Sequence, residues 1–227
     1  MSRGAIDAER ARVFRRRLSA WYRRHHRKLP WRETRDPYRI LVSELMLQQT
    51  QVSRVLDFYA RFIERFPTLE HLADAPRGQV MEAWAGLGYY ARARNLHKLA
   101  RHVTGEGGPG TLSALPEELR KLPGIGAYTA GAVASFAHER RSALVDTNVA
   151  RVLSRVFAPR LKPKRARDLA KLWAIAEAIL PRTGKATWVH NQAVMELGAL
   201  VCTARVKRCG ICPARRGCAE YAAKGEG

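Results

Sequence analysis

Leu122-Pro123-Gly124-Ile125-Gly126, followed at once by Ala127-Tyr128-Thr129-Ala130-Gly131-Ala132-Val133-Ala134, is the stretch on which the architecture turns. Two glycines two apart let the backbone turn tightly and leave amides uncovered where a helix begins. Such a turn approaches a phosphate closely, and the helix N-terminus favours its negative charge. A plain helix–helix turn has the same composition, so the pentapeptide alone does not choose between the two. A short helical pattern over 116–121 precedes it and a small-residue helix suited to close packing, over 127–137, follows. Val145-Asp146-Thr147-Asn148 comes about twenty residues after the glycines.

Outward from this hairpin the chain is helical in pattern almost throughout. A basic amphipathic stretch over 10–24 carries Val13, Leu18, Trp21 and Tyr22 at its apolar positions, and Leu29-Pro30-Trp31 breaks it. Asp36-Pro37 opens a helix with Ile40, Leu41, Leu45 and Leu47, since proline is tolerated at the first helical position. A further helix runs through Val55, Phe58, Tyr59, Phe62 and Ile63, and shorter ones cover 77–84 and 91–105. Val149, Val152, Leu153 and Val156 mark a helix over 148–157, and long helices over 166–179 and 188–201 lead to the cysteines. Strand alternation is almost absent, 105–110 is an ordinary loop, and no repeat or low-complexity tract interrupts the chain. The expected class is all-α.

With 227 residues the chain has room for one globular unit or two small lobes around an apolar core. No apolar run approaches the ~20 residues that span a bilayer, so no membrane partner is expected. Lysine and arginine number 41 against 20 acidic residues, a formal charge of +21. That excess makes nucleic acid the leading partner, although an arginine-rich codon bias inflates the same count. The start of the chain is arginine-rich without a signal-like apolar run. A cytoplasmic protein associated with the nucleoid is the expectation.

All four cysteines, Cys202, Cys209, Cys212 and Cys218, fall in the last 26 residues with the spacing C-x6-C-x2-C-x5-C. Two disulfides are the alternative, but a reducing cytosol disfavours them. Four thiolates in one short stretch suit one metal centre, zinc or an iron–sulfur cluster. Only Cys209 and Cys212 form the close pair that tetrahedral zinc usually draws on twice, so the spacing leans towards a cluster without deciding it.

Two carboxylates draw attention. At helical spacing Glu44 shares a face with Ile40, Leu41, Leu47 and roughly Gln48. Apolar neighbours disfavour the charged form and raise a carboxyl's pKa, which suits a general acid. A solvated helix edge or an arginine partner is the plainer reading. Asp146 precedes an apolar-periodic helix, so helix capping alone explains it.

Longer motifs break these ties by resemblance. Leu29-Pro30-Trp31-Arg32, Val42-Ser43-Glu44-Leu45-Met46-Leu47-Gln48-Gln49-Thr50-Gln51-Val52, Gly86-Leu87-Gly88-Tyr89-Tyr90-Ala91-Arg92-Ala93-Arg94-Asn95-Leu96-His97 and Asn191-Gln192-Ala193-Val194-Met195-Glu196-Leu197-Gly198-Ala199 resemble the MutY adenine glycosylases. These belong with endonuclease III to the helix-hairpin-helix, iron–sulfur branch of DNA glycosylases. The resemblance implies a two-lobed fold, a six-helix barrel over 32–138 with the hairpin and a cluster lobe from 1–31 and 139–227, gripping duplex DNA in the cleft as a monomer. It implies a [4Fe–4S] cluster on Cys202, Cys209, Cys212 and Cys218, in a structural role. It casts Glu44 as the acid that protonates adenine at N7 and Asp146 as the anion near C1′ of the sugar. Asn148 and Tyr128 support that site. Strand-cutting relatives have lysine where Tyr128 stands, and a phenol forms no Schiff base, so a monofunctional glycosylase acting on adenine opposite 8-oxoguanine or guanine is expected. The same resemblance puts Arg32, Gln48, Gln49, Thr50, Leu87 and Tyr89, the hairpin residues Leu122, Gly124 and Gly126, and Arg205, Lys207 and Arg208 on DNA.

The pattern departs from the family in two places. Full-length members carry a further C-terminal domain that helps recognise 8-oxoguanine, and this chain stops nine residues after Cys218, so weaker discrimination is expected. Thr147 stands where many adenine glycosylases have glycine. Short thymine/uracil mismatch glycosylases share Tyr128 and the length but generally lack the Gln48-Gln49-Thr50-Gln51 run, and they are the alternative. A catalytically idle, cluster-bearing DNA-binding protein is more distant, because Glu44 and Asp146 are both present. An electron carrier is more distant still, its cysteine spacings being tighter.

Overall fold

The computed structural model describes residues 6–223 and Gly225. It divides into two compact units, one from Lys28 to His138 and the other from the chain up to Arg27 together with everything from Glu139 on. The described residues form α-helices and short 3-10 turns; the nearest approach to a strand is an isolated bridge between Cys202 and Lys207. Among the described residues no helix is long and apolar enough to cross a membrane.

The Lys28–His138 unit is built around α2 (Pro37–Met46). Asp36 starts it by accepting from the amides of Tyr38 at 2.8 Å and Arg39 at 3.2 Å, with Pro37 in the first turn. Every residue from Ile40 to Met46 is buried, so α2 is a central helix and not an amphipathic one. The Ser43 hydroxyl inside it is satisfied by the Ile40 carbonyl at 2.7 Å. α3 (Val52–Arg65) turns Val55, Tyr59 and Phe62 inward. There Phe62 meets Trp84 edge-on at 5.7 Å and Tyr59 meets Trp31 at 5.3 Å. Fully burying side chains of this kind contributes about 1.5–3 kcal/mol each.

α4 (Leu69–Asp74) and α5 (Arg77–Ala83) lie against α6 (Ala91–Thr104), which buries Ala93, Leu96, Leu99, Ala100 and Val103. α4 was not read from the sequence. It is shorter than two turns, and its signals are a Thr68 cap and the apolar pair Leu69 and Leu72. α7 (Pro116–Leu119) leads to the hairpin, and α8 (Ala127–Phe136) packs on α2. Ala130, Gly131, Ala132 and Ala134 give α8 the small cross-section that close packing requires.

In the other unit α1 (Ala8–His25) is capped by Asp7 and buries Ala11, Phe14, Leu18 and Tyr22. α9 (Thr147–Phe157) packs on α10 (Ala166–Ala178), on α11 (Gly184–Leu200) and on the short α12 (Ala219–Ala222), while α1 also packs on α11. α11 begins before the expected 188, because Thr183 caps it through the Ala186 amide at 3.3 Å. Glu196 of α11 is fully buried. Arg27 holds it bidentately, Nε at 2.9 Å and Nη2 at 2.7 Å, and adds its own backbone amide at 2.8 Å.

Candidate active site and cysteine centre

The carboxyl of Glu44 lies on α2 with only 4 % of the residue exposed. The hydroxyl of Tyr128, from the first turn of α8, donates to its Oε2 at 2.6 Å. This pairing follows from the fold: α8 has the small residues that bring it close to α2, and Tyr128 is its large polar exception. The expected shared face of Glu44 with Gln48 is corrected, because α2 ends at Met46 and Gln48 lies in the turn beyond it. There the Gln48 amide donates to Thr129 Oγ1 at 3.4 Å, again towards α8.

Arg92, which the sequence reading passed over, holds that turn. Its guanidinium is buried and meets backbone carbonyls at the end of α2 and in the two turns that follow α2 and α5. Nη1 donates to Leu45 at 2.7 Å, Met46 at 2.8 Å and Gln48 at 2.7 Å; Nη2 donates to Leu87 at 3.2 Å and Gly88 at 3.0 Å. The cation also sits over the rings of Trp84 at 5.4 Å and Tyr89 at 5.5 Å. Burial lowers its pKa. Each loop carries a side-chain-bearing residue in the left-handed region, Gln49 at φ 57° and Tyr89 at φ 48°. Such conformations cost about 1–3 kcal/mol and persist only where the surroundings impose them. Gln49 is exposed, Thr50 half-buried and Tyr89 60 % exposed, whereas Leu87 is packed inside at 6 %. Arg32, at the end of the 3-10 turn Pro30–Arg32, is half-buried.

At the hairpin, Ile125 donates to the Leu122 carbonyl at 3.2 Å and closes the turn. Gly124 has φ 77°, and a Cβ there would lie 2.6 Å from Asn95 Cβ, so both conformation and space demand glycine. Gly126 differs. Its backbone is extended, it caps α8, and a Cβ on it would meet open space. Only one of the two glycines therefore makes the turn; the other stands at an open helix start.

Asp146 and Asn148 belong to the other unit. Both oxygens of Asp146 are engaged: Oδ1 caps α9 through the Val149 amide at 2.6 Å, and Oδ2 accepts from Asn148 Nδ2 at 2.9 Å. Arg151 Nη2 then donates to Asn148 Oδ1 at 2.7 Å and to the Gly198 carbonyl at 2.7 Å, and its Nε to the Cys202 carbonyl at 2.9 Å. A Cβ on Gly198 would lie 2.8 Å from Asn148 Cβ, so α11 can approach α9 this closely only with glycine there. Asp146 is thus joined to the first cysteine through Asn148 and Arg151.

Cys202, Cys209, Cys212 and Cys218 are free thiols around one cavity of about 250 Å³. Arg155 Nη1 donates to Cys202 Sγ at 3.3 Å and to the Thr203 carbonyl at 2.7 Å, and Cys218 Sγ donates to the Arg155 carbonyl at 3.4 Å. Burial pushes the Cys212 thiol up to about 11, with the other three cysteines adding to the shift, and raises Cys218 as well. Crowded thiols that resist ionisation are what a bound cation reverses, since coordination deprotonates them. Among the described residues no three His, Cys, Asp or Glu side chains stand close enough to clasp a single metal ion. All four thiols line the same cavity, so the donor set fits a thiolate-bound metal group. In the intervening loop Lys207 forms an ion pair with Glu220 and Arg208 donates to the Leu200 carbonyl at 3.1 Å, while the exposed Arg205 side chain has no such partner among the described residues.

Residues 42–175 match the family model described as HhH-GPD superfamily base excision DNA repair protein. The chain belongs to that superfamily. Within it, the adenine DNA glycosylase of Rattus norvegicus is 42 % identical over 224 residues, 95 % of this chain and 43 % of the rat protein. The adenine DNA glycosylase of Mycobacterium tuberculosis is 44 % identical over 203 residues, 86 % of this chain and 64 % of its own. The HhH-GPD chain described here therefore spans about half the length of the curated relatives it matches. Among solved structures, a thermostable thymine-DNA glycosylase superposes with a TM-score of 0.84 at 29 % identity, covering 95 % of this chain and 98 % of its own. A trapped endonuclease III–DNA covalent intermediate shares the fold, with a TM-score of 0.80 at 22 % identity, 97 % of this chain and 100 % of its own.

Proposed function

We propose that this HhH-GPD chain binds duplex DNA as a monomer and hydrolyses the N-glycosidic bond of adenine opposite 8-oxoguanine or guanine. The observation that carries the reading is the buried Glu44 carboxyl with the Tyr128 hydroxyl 2.6 Å from Oε2, in a chain 36–45 % identical to adenine glycosylases. Oriented by the phenol on Oε2, the Glu44 carboxyl delivers a proton to N7 of the base, turning adenine into a neutral leaving group. Asp146, fixed by its cap and by Asn148, offers a stationary anion to the oxocarbenium-like sugar. Tyr128 has no amine with which to attack the sugar, so the product is an abasic site in an uncut strand. Tyr89 and Gln49, held in strained loops, are the side chains that fill the stack after the base leaves it. The open amides at Gly126 and the Arg205 loop take backbone phosphates.

The four cysteines fit a [4Fe–4S] cluster, which when bound supplies a covalent staple for the 202–218 loop. Arg155 and Arg151 donate to the same loop and orient it.

Single-turnover excision tests the reading on duplexes holding A opposite 8-oxoguanine, A opposite G, T opposite G and U opposite G. Adenine release from the first two is the expected result. Release of T or U with adenine untouched overturns it in favour of a mismatch thymine/uracil glycosylase. The observation favouring that second reading is the superposition, along almost its whole length, of a thymine-DNA glycosylase.

A further inference from the structure

A second cavity of about 380 Å³ opens between α5 and α6. Arg94, His97, Lys98 and Arg101 line it from α6 at i, i+3, i+4 and i+7, one helical stripe. Arg77, Val80 and Met81 line it from α5. No Asp or Glu contributes to the wall. The nearest acid in sequence, Glu82, is taken by Arg65 at 2.9 Å. Among the described residues the side chains of Arg77, Arg94, Lys98 and Arg101 have no hydrogen-bond or ion-pair partner. Like charges at this spacing repel, so the chain carries an electrostatic penalty here without an internal counter-charge. His97 is 7 % exposed, and its Nε2 is buried with no partner, so no protein acceptor fixes the ring's orientation. Val80, fully buried, and Met81 give the cavity an apolar side.

We propose that this cavity is a phosphate-binding site, distinct from the Glu44 centre, in which Arg94, Lys98, Arg77 and Arg101 hold the oxyanion above the His97 ring. Guanidinium and ammonium groups arranged around a concavity match a phosphate's several acceptor oxygens. The phosphate belongs either to a free phosphate compound or to the backbone of bound DNA outside the damaged nucleotide. The site rests on its own residues and not on the adenine reading.

The test is calorimetric titration of the whole chain with inorganic pyrophosphate, paired with the salt dependence of binding to an undamaged duplex. Arg94→Ala/Lys98→Ala is compared with Arg160→Ala/Lys164→Ala, which removes the same charge at exposed positions elsewhere. One-to-one pyrophosphate binding, weakened about tenfold or more in the first variant alone, is the expected result. If the duplex displaces pyrophosphate and the first variant's slope against log salt is shallower by about 1.8, two contacts at ~0.9 each, the phosphate is the DNA's. If pyrophosphate stays bound beside the duplex, the ligand is a separate phosphate compound. Equal behaviour of the two double variants in both assays overturns the site and leaves the stripe a solvated face.

Discussion

The loops tied by Arg92 and the loop carrying the cysteines solve one problem by opposite means. Each is irregular backbone with carbonyls to satisfy. In the first, one buried guanidinium gathers six carbonyls from 45–48 and 87–89 and so holds Gln49 and Tyr89 in conformations that ordinary residues avoid. The chain supplies everything that region needs. In the second, Arg151 and Arg155 anchor the carbonyls of Cys202 and Thr203, yet the four thiols face a cavity and the 3-10 turns Cys209–Ile211 and Arg215–Gly217 bury nothing. Under the reading proposed above, order there depends on a group the chain does not encode. Self-sufficiency in one region and dependence in the other is the difference to test.

The largest effect expected is selective loss of the second region. Binding energy in small metal-organised domains is on the order of 10 kcal/mol. Removing the iron–sulfur group by chelation, or Cys209→Ser, should expose 202–218 to proteolysis and hydrogen exchange while 47–51 and 86–90 keep their protection. Equal loosening of both regions would break the comparison.

Next in size is Glu44→Gln. A positioned general acid contributes roughly 10²–10⁴-fold in rate, so single-turnover adenine release should fall by about that factor while duplex affinity is retained. An unchanged rate sinks the role of Glu44.

His190 gives a smaller effect with a defined pH window. It is fully buried beside Phe14, and burial drops its pKa to about 3 from 6.5. The unfolded chain binds a proton below pH 6.5 that the folded chain refuses until about pH 3. The contribution to stability is therefore fully present above pH 6.5 and is lost as pH falls towards 3. Its full extent is a few kcal/mol in order of magnitude. The urea midpoint of wild type should fall relative to that of His190→Phe as the pH falls through that range; a constant gap contradicts the account.

The most local effect, and the one that sharpens the contrast most, is Arg92→Met. Each stranded carbonyl costs about 1–3 kcal/mol where water cannot reach it, and partial exposure of these loops reduces that. Faster hydrogen exchange confined to 45–50 and 86–90, with the cysteine loop unchanged, is expected.

How far the sequence was legible follows the same division. Asp36-Pro37 announced α2, and Asp146 announced α9, because capping is local chemistry. Burial of Glu44 was not decidable from its helix, since an all-round buried helix has no polar face to read against. The length of α2 misled in the same way: apolar Leu47 extends the pattern, and the chain nevertheless turns at Gln48. Arg92 was invisible because its acceptors are carbonyls, which any sequence supplies, brought together from two loops. Tyr128 was legible only as a residue type, while its bond to Glu44 depends on how closely α8 packs on α2. Thiol spacing indicated a metal centre, while the gathering of all four cysteines around one cavity is visible only in three dimensions.

The central claim, that Glu44 drives adenine departure by protonating N7, is met most directly by one substitution in the substrate. Single-turnover release should be compared for adenine and 7-deaza-adenine, which has carbon in place of N7, opposite 8-oxoguanine in otherwise identical duplexes. The account predicts release of adenine, retention of 7-deaza-adenine despite normal binding, and a Glu44→Gln variant that releases neither. Comparable release of both bases by the wild-type chain would contradict it.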